Sequence, residues 1–213
     1  VGSEMCIRDR AMSELIISVS GLRGIVGETL TPEVAMRYAL AYAAEAPAGP
    51  FVLTRDGRPT GRMIADVVRG ALCAAGRDVL DADTAATPTT GVLVRRFQAA
   101  GGIQISASHN PSEYNGMKLF GPQGSVIPAA AGQLVLDRFR NPTPAWVPHH
   151  RVGRLTVVDD TTTDHLSLLQ TIVDVERIRD AAFSVLLDSN HGAGSILGRK
   201  LLEFLGCHVT LLG

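Results

Sequence analysis

Residues 101–121, GGIQISASHNPSEYNGMKLFG, place two serines, a histidine, an Asn-Pro pair and a lysine between two apolar runs. A hydroxyl on a rigid turn beside an imidazole fits nucleophilic or phosphoryl-accepting chemistry, which points to Ser108 and His109. Asn110 and Pro111 fix the turn: proline locks its own φ and asparagine hydrogen-bonds locally. Lys118 could supply a proton or a cation for phosphate. The chain holds 18 arginines and only two lysines, Lys118 and Lys200. A lysine is therefore the unusual cation here, and unlike arginine it can release its proton. The same residue types also suit an ordinary polar turn between strands. Serine-hydrolase chemistry is disfavoured, because no G-x-S-x-G elbow surrounds Ser108.

The elements around this stretch must present it at an edge. GIQIS is apolar enough to lie inside a sheet, so the following loop emerges at a strand's carboxyl end, where open α/β sheets bind ligands. Upstream, LIISVS reads as a strand leading into a glycine-flanked turn at Gly21–Gly24. TPEVAMRYALAYAAEA starts as a helix should, with Thr31 to cap, Pro32 at the first position and Glu33 at the positive end. FVLT is a buried strand ending in the turn RDGRPTG, and Ile64, Val67, Val68, Ala71 and Leu72 then share one helical face. DVLDAD reads as a strand, TPTTGVLVRRFQA as a helix, GMKLF as a strand and PAAAGQLVLDRF as a helix. This alternation implies a layered α/β domain with a largely parallel sheet. NPTPAWVPHH carries three prolines and reads as a linker. Beyond it, TDHLSLLQTIVDVERIRDA is helical, and FSVLLD, GSILGRKLLEFLG and CHVTLL form one β-α-β unit.

Bulk properties remove several function classes. The formal net charge is −1, with charged residues at 19% and no long basic run. Nucleic-acid and membrane-surface partners both need a concentrated positive patch, so neither is expected. No apolar stretch is long enough to span a bilayer. Cys6, Cys73 and Cys207 show no metal or redox spacing, and a reduced cytoplasmic setting follows. His149 and His150 have no third ligand at suitable spacing and read as a solvated loop. Gly192-Ala193-Gly194 follows a strand and precedes a helix. Its distance to Gly198 is one residue too long for a dinucleotide fingerprint, so a tight strand–helix turn is the better reading. The opening VGSEMCIRDR lacks periodicity, and residues 1–12 are read as a non-native or disordered tail.

ISASHNPSEYNGMKLFGPQG resembles the phosphoserine loop of the α-D-phosphohexomutases. Four further segments match that family in order. SVSGLRGIVGETLTPE resembles its N-terminal active-site turn, TRDGRPTG its Arg-Asp-Gly-Arg turn, ATPTTG its Thr-Pro-Thr helix start and LLDSNHGAGS the opening of its second domain. The fold implied is a three-layer α/β/α domain with a mostly parallel mixed sheet, followed by the start of a second, similar domain. The division implied is 13–140 for the phosphoserine domain, 141–154 for the linker and 155–213 for a partial second domain.

The resemblance implies that Ser108 carries a phosphoryl group, with Ser106 as its unphosphorylated neighbour. Phosphate would pass between the 1- and 6-positions of a hexose through a bisphosphate intermediate. His109 and Lys118 match the acid/base and electrostatic groups, and Arg23 the turn arginine facing the phosphoserine. Ser20, Arg23, Asn110 and Lys118 would bind substrate or phosphate. Arg55, Asp56 and Arg58 favour a structural role in the turn. The family's Mg²⁺ would meet this chain only through the Ser108 phosphate, because the Asp-x-Asp-x-Asp-Arg loop is absent; Asp81–Asp83 lacks the third aspartate and the arginine. The sugar stays open among glucosamine, glucose and mannose phosphates. A non-catalytic sugar-phosphate-binding module with the same fold is the alternative.

Overall fold

The computed structural model describes residues 15–18 and 21–212. In chain order the elements are β1 (Ile16–Ser18), β2 (Gly21–Ile25), α1 (Pro32–Glu45), β3 (Phe51–Arg55), α2 (Gly61–Ala74), β4 (Val79–Thr84), α3 (Thr87–Arg96), β5 (Gly101–Ile105), β6 (Tyr114–Phe120) and α4 (Ala129–Arg140). A 3₁₀ turn at His149–Arg151 precedes β7 (Leu155–Val157), α5 (Thr163–Gln170), α6 (Val175–Ala181), β8 (Ser184–Asp188), α7 (Gly194–Phe204) and β9 (His208–Leu212).

Seven strands form one sheet in the order β1-β2-β6-β5-β3-β4-β7. The sheet is mixed, as expected, and its two kinds of pairing are segregated. β5, β3, β4 and β7 pair in parallel, whereas β1, β2, β6 and β5 pair antiparallel. The largely parallel character read from the strand–helix alternation thus holds for one half. β5 and β6 form a hairpin, and a hairpin forces antiparallel pairing.

Helices α1, α2 and α4 cover one face. Tyr38, Ala39, Ile64, Val68, Leu72, Val135 and Phe139 pack there against Leu22, Leu53, Ile103, Met117 and Leu119. On the other face Leu93 and Val94 of α3 meet Val52, Ala82 and Phe120. Thr31 caps α1 as its sequence predicts, its hydroxyl accepting from the Val34 amide at 3.3 Å. Burial pushes the Tyr38 and Tyr42 hydroxyls well above the usual range. Tyr42 donates to the Phe120 carbonyl at 2.5 Å, which satisfies that buried group.

Three expectations change. Gly21–Gly24 is not a turn but part of β2, held between β1 and β6. Its glycines permit close strand approach: a Cβ on Gly21 would lie 2.4 Å from the Met117 carbonyl oxygen. Residues 155–157, read with the second domain, form the edge strand β7 of the first sheet. The Val79 amide donates to Arg154 O at 2.8 Å and the Arg154 amide to Asp78 Oδ1 at 2.7 Å, binding this segment to β4. The helical stretch 163–181 is interrupted between α5 and α6. Asp174 takes the Arg177 amide at 3.1 Å and so starts a new helix after the β-branched run Thr171–Val173.

β8 and β9 form a separate parallel pair joined through α7. α5 docks on α3, where Thr89 Oγ1 lies 2.9 Å from His165 Nδ1 and Arg96 pairs with Asp164 at 2.9 Å. Asp160 organises the start of α5, accepting from the Thr162 amide and hydroxyl and from the Thr163 amide. Among the described residues no helix is long and apolar enough to cross a membrane.

Hydrogen bonds from the Thr163 side chain, then the Thr162 amide, hold the Asp160 carboxyl well below the usual carboxylate range. A depressed carboxylate contributes stability above its unfolded pKa of about 4 and loses it as pH falls through the folded value. Asp160→Asn is therefore expected to lower the thermal midpoint at pH 6, with the gap to wild type shrinking below about pH 4. Thermal denaturation followed by circular dichroism between pH 6 and 2 checks this.

Candidate phosphoryl-transfer site

β3, β4 and β5 run in parallel, so their carboxyl ends open at one edge of the sheet. The loop 106–113 leaves β5 at that edge and the turn 56–60 leaves β3 beside it. The Ser106 amide donates to Gly116 O at 3.0 Å, and the Asn110 amide donates to Ala107 O at 3.1 Å to close a turn. Ala107 is buried, whereas Ser108 and His109 are exposed.

Ser108 adopts φ +58°, the left-handed region. For a residue with a Cβ this costs about 1–2 kcal/mol and must be held by surrounding bonds. The Ser106 hydroxyl accepts from the Ser108 amide at 3.0 Å. Ser108 Oγ sits 3.3 Å from His109 Nδ1, so the imidazole lies against the hydroxyl. The two serines thus have separate tasks: Ser106 braces the turn and Ser108 presents its oxygen to solvent.

Arg23 reaches the same loop. Its guanidinium donates to Asn110 Oδ1 at 3.2 Å. β2 and β6 place Arg23 opposite Gly116 and Gly21 opposite Lys118, so Arg23 and Lys118 share one sheet face. Lys118 is also paired with buried Gln104 of β5, and it is half-buried. Arg23, Ser108, His109 and Asn110 are therefore gathered at the loop, with Lys118 further along the same face. Ser20, expected to bind phosphate, lies outside the described residues.

The turn after β3 is more involved than its sequence shows. Asp56 Oδ1 accepts from the Arg58 amide at 3.0 Å, and Asp56 Oδ2 lies 3.3 Å from Arg58 Nε. The Arg58 fork crosses to the Ser108 loop and donates to the carbonyls of Ser108, Asn110, Pro111 and Tyr114 at 2.6–3.1 Å. Arg55 makes a two-pronged pair with Asp83, and Arg69 bonds Asp81. The Asp81–Asp83 carboxylates are thus committed to arginines. The Asn115 carboxamide of β6 donates to Thr60 Oγ1 at 3.0 Å, tying the turn to the strand that follows the loop. Gly57 lies under the 189–192 turn, where an added Cβ would stand 2.7 Å from His191 O.

Sequence patterning places Arg58 in a turn but not across a loop 50 residues away. Alternating arginines around an Asp-Gly pair are the one available signal. His149 and His150 are exposed and face each other edge-on at 5.3 Å. Among the described residues no three His, Cys, Asp or Glu side chains gather to hold a metal ion.

Gly116 sets the distance between β2 and the loop. A Cβ there would lie 2.4 Å from Leu22 O, 2.9 Å from Ser106 O and 3.0 Å from Arg23 Cγ. Two of the three are backbone atoms and cannot swing aside. Gly116→Ala is expected to destabilise the chain by about 1–3 kcal/mol, read as a lower denaturant midpoint with unchanged slope.

Comparison with known proteins bears on the family and the fold. The family model for phosphoglucomutase/phosphomannomutase, alpha/beta/alpha domain I, matches residues 15–145. A phosphoglucomutase/phosphomannomutase of Thermococcus kodakarensis is 34% identical over 195 residues, covering 89% of this chain and 42% of the relative. A phosphoglucosamine mutase of Synechococcus sp. WH7803 is 33% identical over 205 residues, covering 94% of this chain and 43% of the relative. The chain thus spans about two fifths of the length of these curated relatives. A phosphoglucomutase/phosphomannomutase family protein of Burkholderia thailandensis superposes with TM-score 0.71 at 24% identity, over 92% of this chain and 44% of that one, and so shares the fold. With its α/β/α layers and the matched residues 15–145, the chain belongs to the phosphoglucomutase/phosphomannomutase family.

Proposed function

We propose that this chain is the phosphoserine-bearing N-terminal part of a phosphohexomutase acting on a hexose phosphate. Ser108 carries the reading: an exposed hydroxyl in a left-handed turn, against an imidazole, on a loop tied to Arg23. In the proposed cycle the bond between phosphorus and Ser108 Oγ breaks while a new one forms to a sugar hydroxyl. The hydroxyl proton passes to a base while the departing Ser108 Oγ takes up a proton, with His109, 3.3 Å from that oxygen, and Lys118 the candidates for the two transfers. The bisphosphate then turns over, and its other phosphoryl group returns to Ser108 Oγ. Phosphoryl transfer depends mainly on placement and on neutralising charge. Arg23 and Lys118 supply positive charge on one face of the sheet, and a guanidinium suits phosphate oxygens.

The relatives are named for glucosamine, glucose and mannose phosphates, and any of these sugars fits the proposal. Mg²⁺ is part of the proposed chemistry of the whole protein. The described residues do not fit a complete site, because no three metal-ligating side chains converge. A phosphate on Ser108 is the one ligand they would offer, and the steps above run only through protein groups. The proposed organisation is a phosphoserine domain followed by a second α/β unit opening with β8, α7 and β9.

Incubation with a hexose 1,6-bisphosphate and Mg²⁺, followed by phosphopeptide mapping, tests the reading at full natural length. Phosphate is expected on Ser108 and absent in Ser108→Ala. Sugar-phosphate binding with no phosphoserine would instead establish a non-catalytic binding module. The 213-residue chain alone is expected to show little or no mutase turnover with glucosamine, glucose or mannose phosphates. Turnover near that of a full-length relative would refute that part.

A further inference from the structure

We infer that Arg58 is a positioning residue for phosphoryl transfer at Ser108, holding the loop backbone while touching neither sugar nor phosphate. The inference rests on the proposed role of Ser108.

A guanidinium has five N–H donors in a planar fork. In Arg58 one nitrogen donates to Pro111 O at 2.6 Å and Tyr114 O at 2.9 Å. The other donates to Asn110 O at 2.6 Å and Ser108 O at 3.1 Å. Nε–H faces Asp56 Oδ2 at 3.3 Å. All four terminal N–H donors are taken by backbone carbonyls and Nε is ion-paired with a carboxylate, which leaves the fork turned to the main chain and not to a ligand. The side chain is only 16% exposed and its carboxylate partner 18%, so the pair is set beneath the loop.

Arg23 differs in the respect that matters. Its guanidinium makes one side-chain bond among the described residues, to Asn110 Oδ1, and keeps donors for an anion. Two arginines thus meet the loop with divided labour, Arg23 toward a ligand and Arg58 toward the main chain.

The Arg58 acceptors run from Ser108 to Tyr114, the first residue of β6, and so bracket the exposed part of the loop. Ser108 O is the carbonyl of the residue at φ +58°. Its bond to Arg58, with the Ser108 amide on Ser106 Oγ, fixes both peptide planes flanking the strained residue. A lysine carries its donors on one atom and cannot span four carbonyls. Loss of the fork would release the turn and misplace Ser108 Oγ. Misplacement of about 1 Å can cost on the order of 100-fold in rate.

The test uses the protein at full natural length with Arg58→Lys and Arg58→Gln. Hydrogen exchange of the 106–114 amides is expected to rise about tenfold or more, with the β3 and β5 amides unchanged. The maximal rate of Ser108 phosphorylation by hexose 1,6-bisphosphate should fall about 100-fold, while the half-saturating concentration changes less than about threefold. A raised half-saturating concentration at unchanged maximal rate would show Arg58 binding phosphate and overturn the inference. Unchanged loop exchange would overturn it too. If Arg58→Gln does not fold, Arg58→Lys, which keeps the charge, carries the test. A wild-type protein that takes up no phosphate overturns the reading of Ser108 and with it the catalytic half of the inference. The exchange result then decides the loop-holding half by itself.

Discussion

A loop that leaves a sheet strips its carbonyls of ladder partners, and each must find another donor or face water. In the 106–113 loop the Ala107 and Glu113 carbonyls take the Asn110 and Val26 amides, while those of Ser108, Asn110 and Pro111, with Tyr114 at the start of β6, turn to one atom cluster, the Arg58 guanidinium. Four carbonyls converge on it, and Asp56 holds it from behind. Without such a centre, short connections between strands sample many shapes. With it, a serine backbone stays in a conformation it would otherwise avoid. The remaining site groups take their positions from this: the His109 ring beside the hydroxyl and the Asn110 carboxamide within reach of Arg23.

The antiparallel half of the sheet serves the same end. β2 and β6 can sit close because Gly21 and Gly116 leave room for the neighbouring backbone. That approach brings a cation from β2 to a loop that starts on β5, with β6 between them. A parallel arrangement would have needed a helical crossover at this edge. The hairpin leaves the edge open and puts Arg23 and Lys118 on one face.

Elements with strong local signals were legible in the sequence. α1 announces itself with Thr31 and Pro32, and β3 and β5 with short apolar runs next to turn residues. Ser108, His109, Asn110 and Lys118 stand out because their types are concentrated in one span. Less legible features depend on partners distant in sequence. The Gly21–Gly24 segment has turn-like composition, and only its pairing with β6 makes it a strand. β7 looks like the start of a new unit until Arg154 and Gly153 are seen bonded to residues near 73–79. The Arg58 fork reads locally as part of a common Asp-Gly turn, since nothing nearby reveals acceptors on another loop. α5 and α6 read as one helix because the cap at Asp174 competes with helix propagation only weakly in sequence.

Gly57 gives the turn that carries Arg58 a second neighbour. The 189–192 turn rests on it so closely that even a methyl group would collide with the His191 carbonyl. The residue beside Gly57 grips the Ser108 loop, and Gly57 itself bears the opening of the next α/β unit. A side chain acquired at position 57 would therefore act as a wedge between two parts of the chain. Its push would reach the serine through the backbone alone, without altering a single side chain of the 106–113 loop.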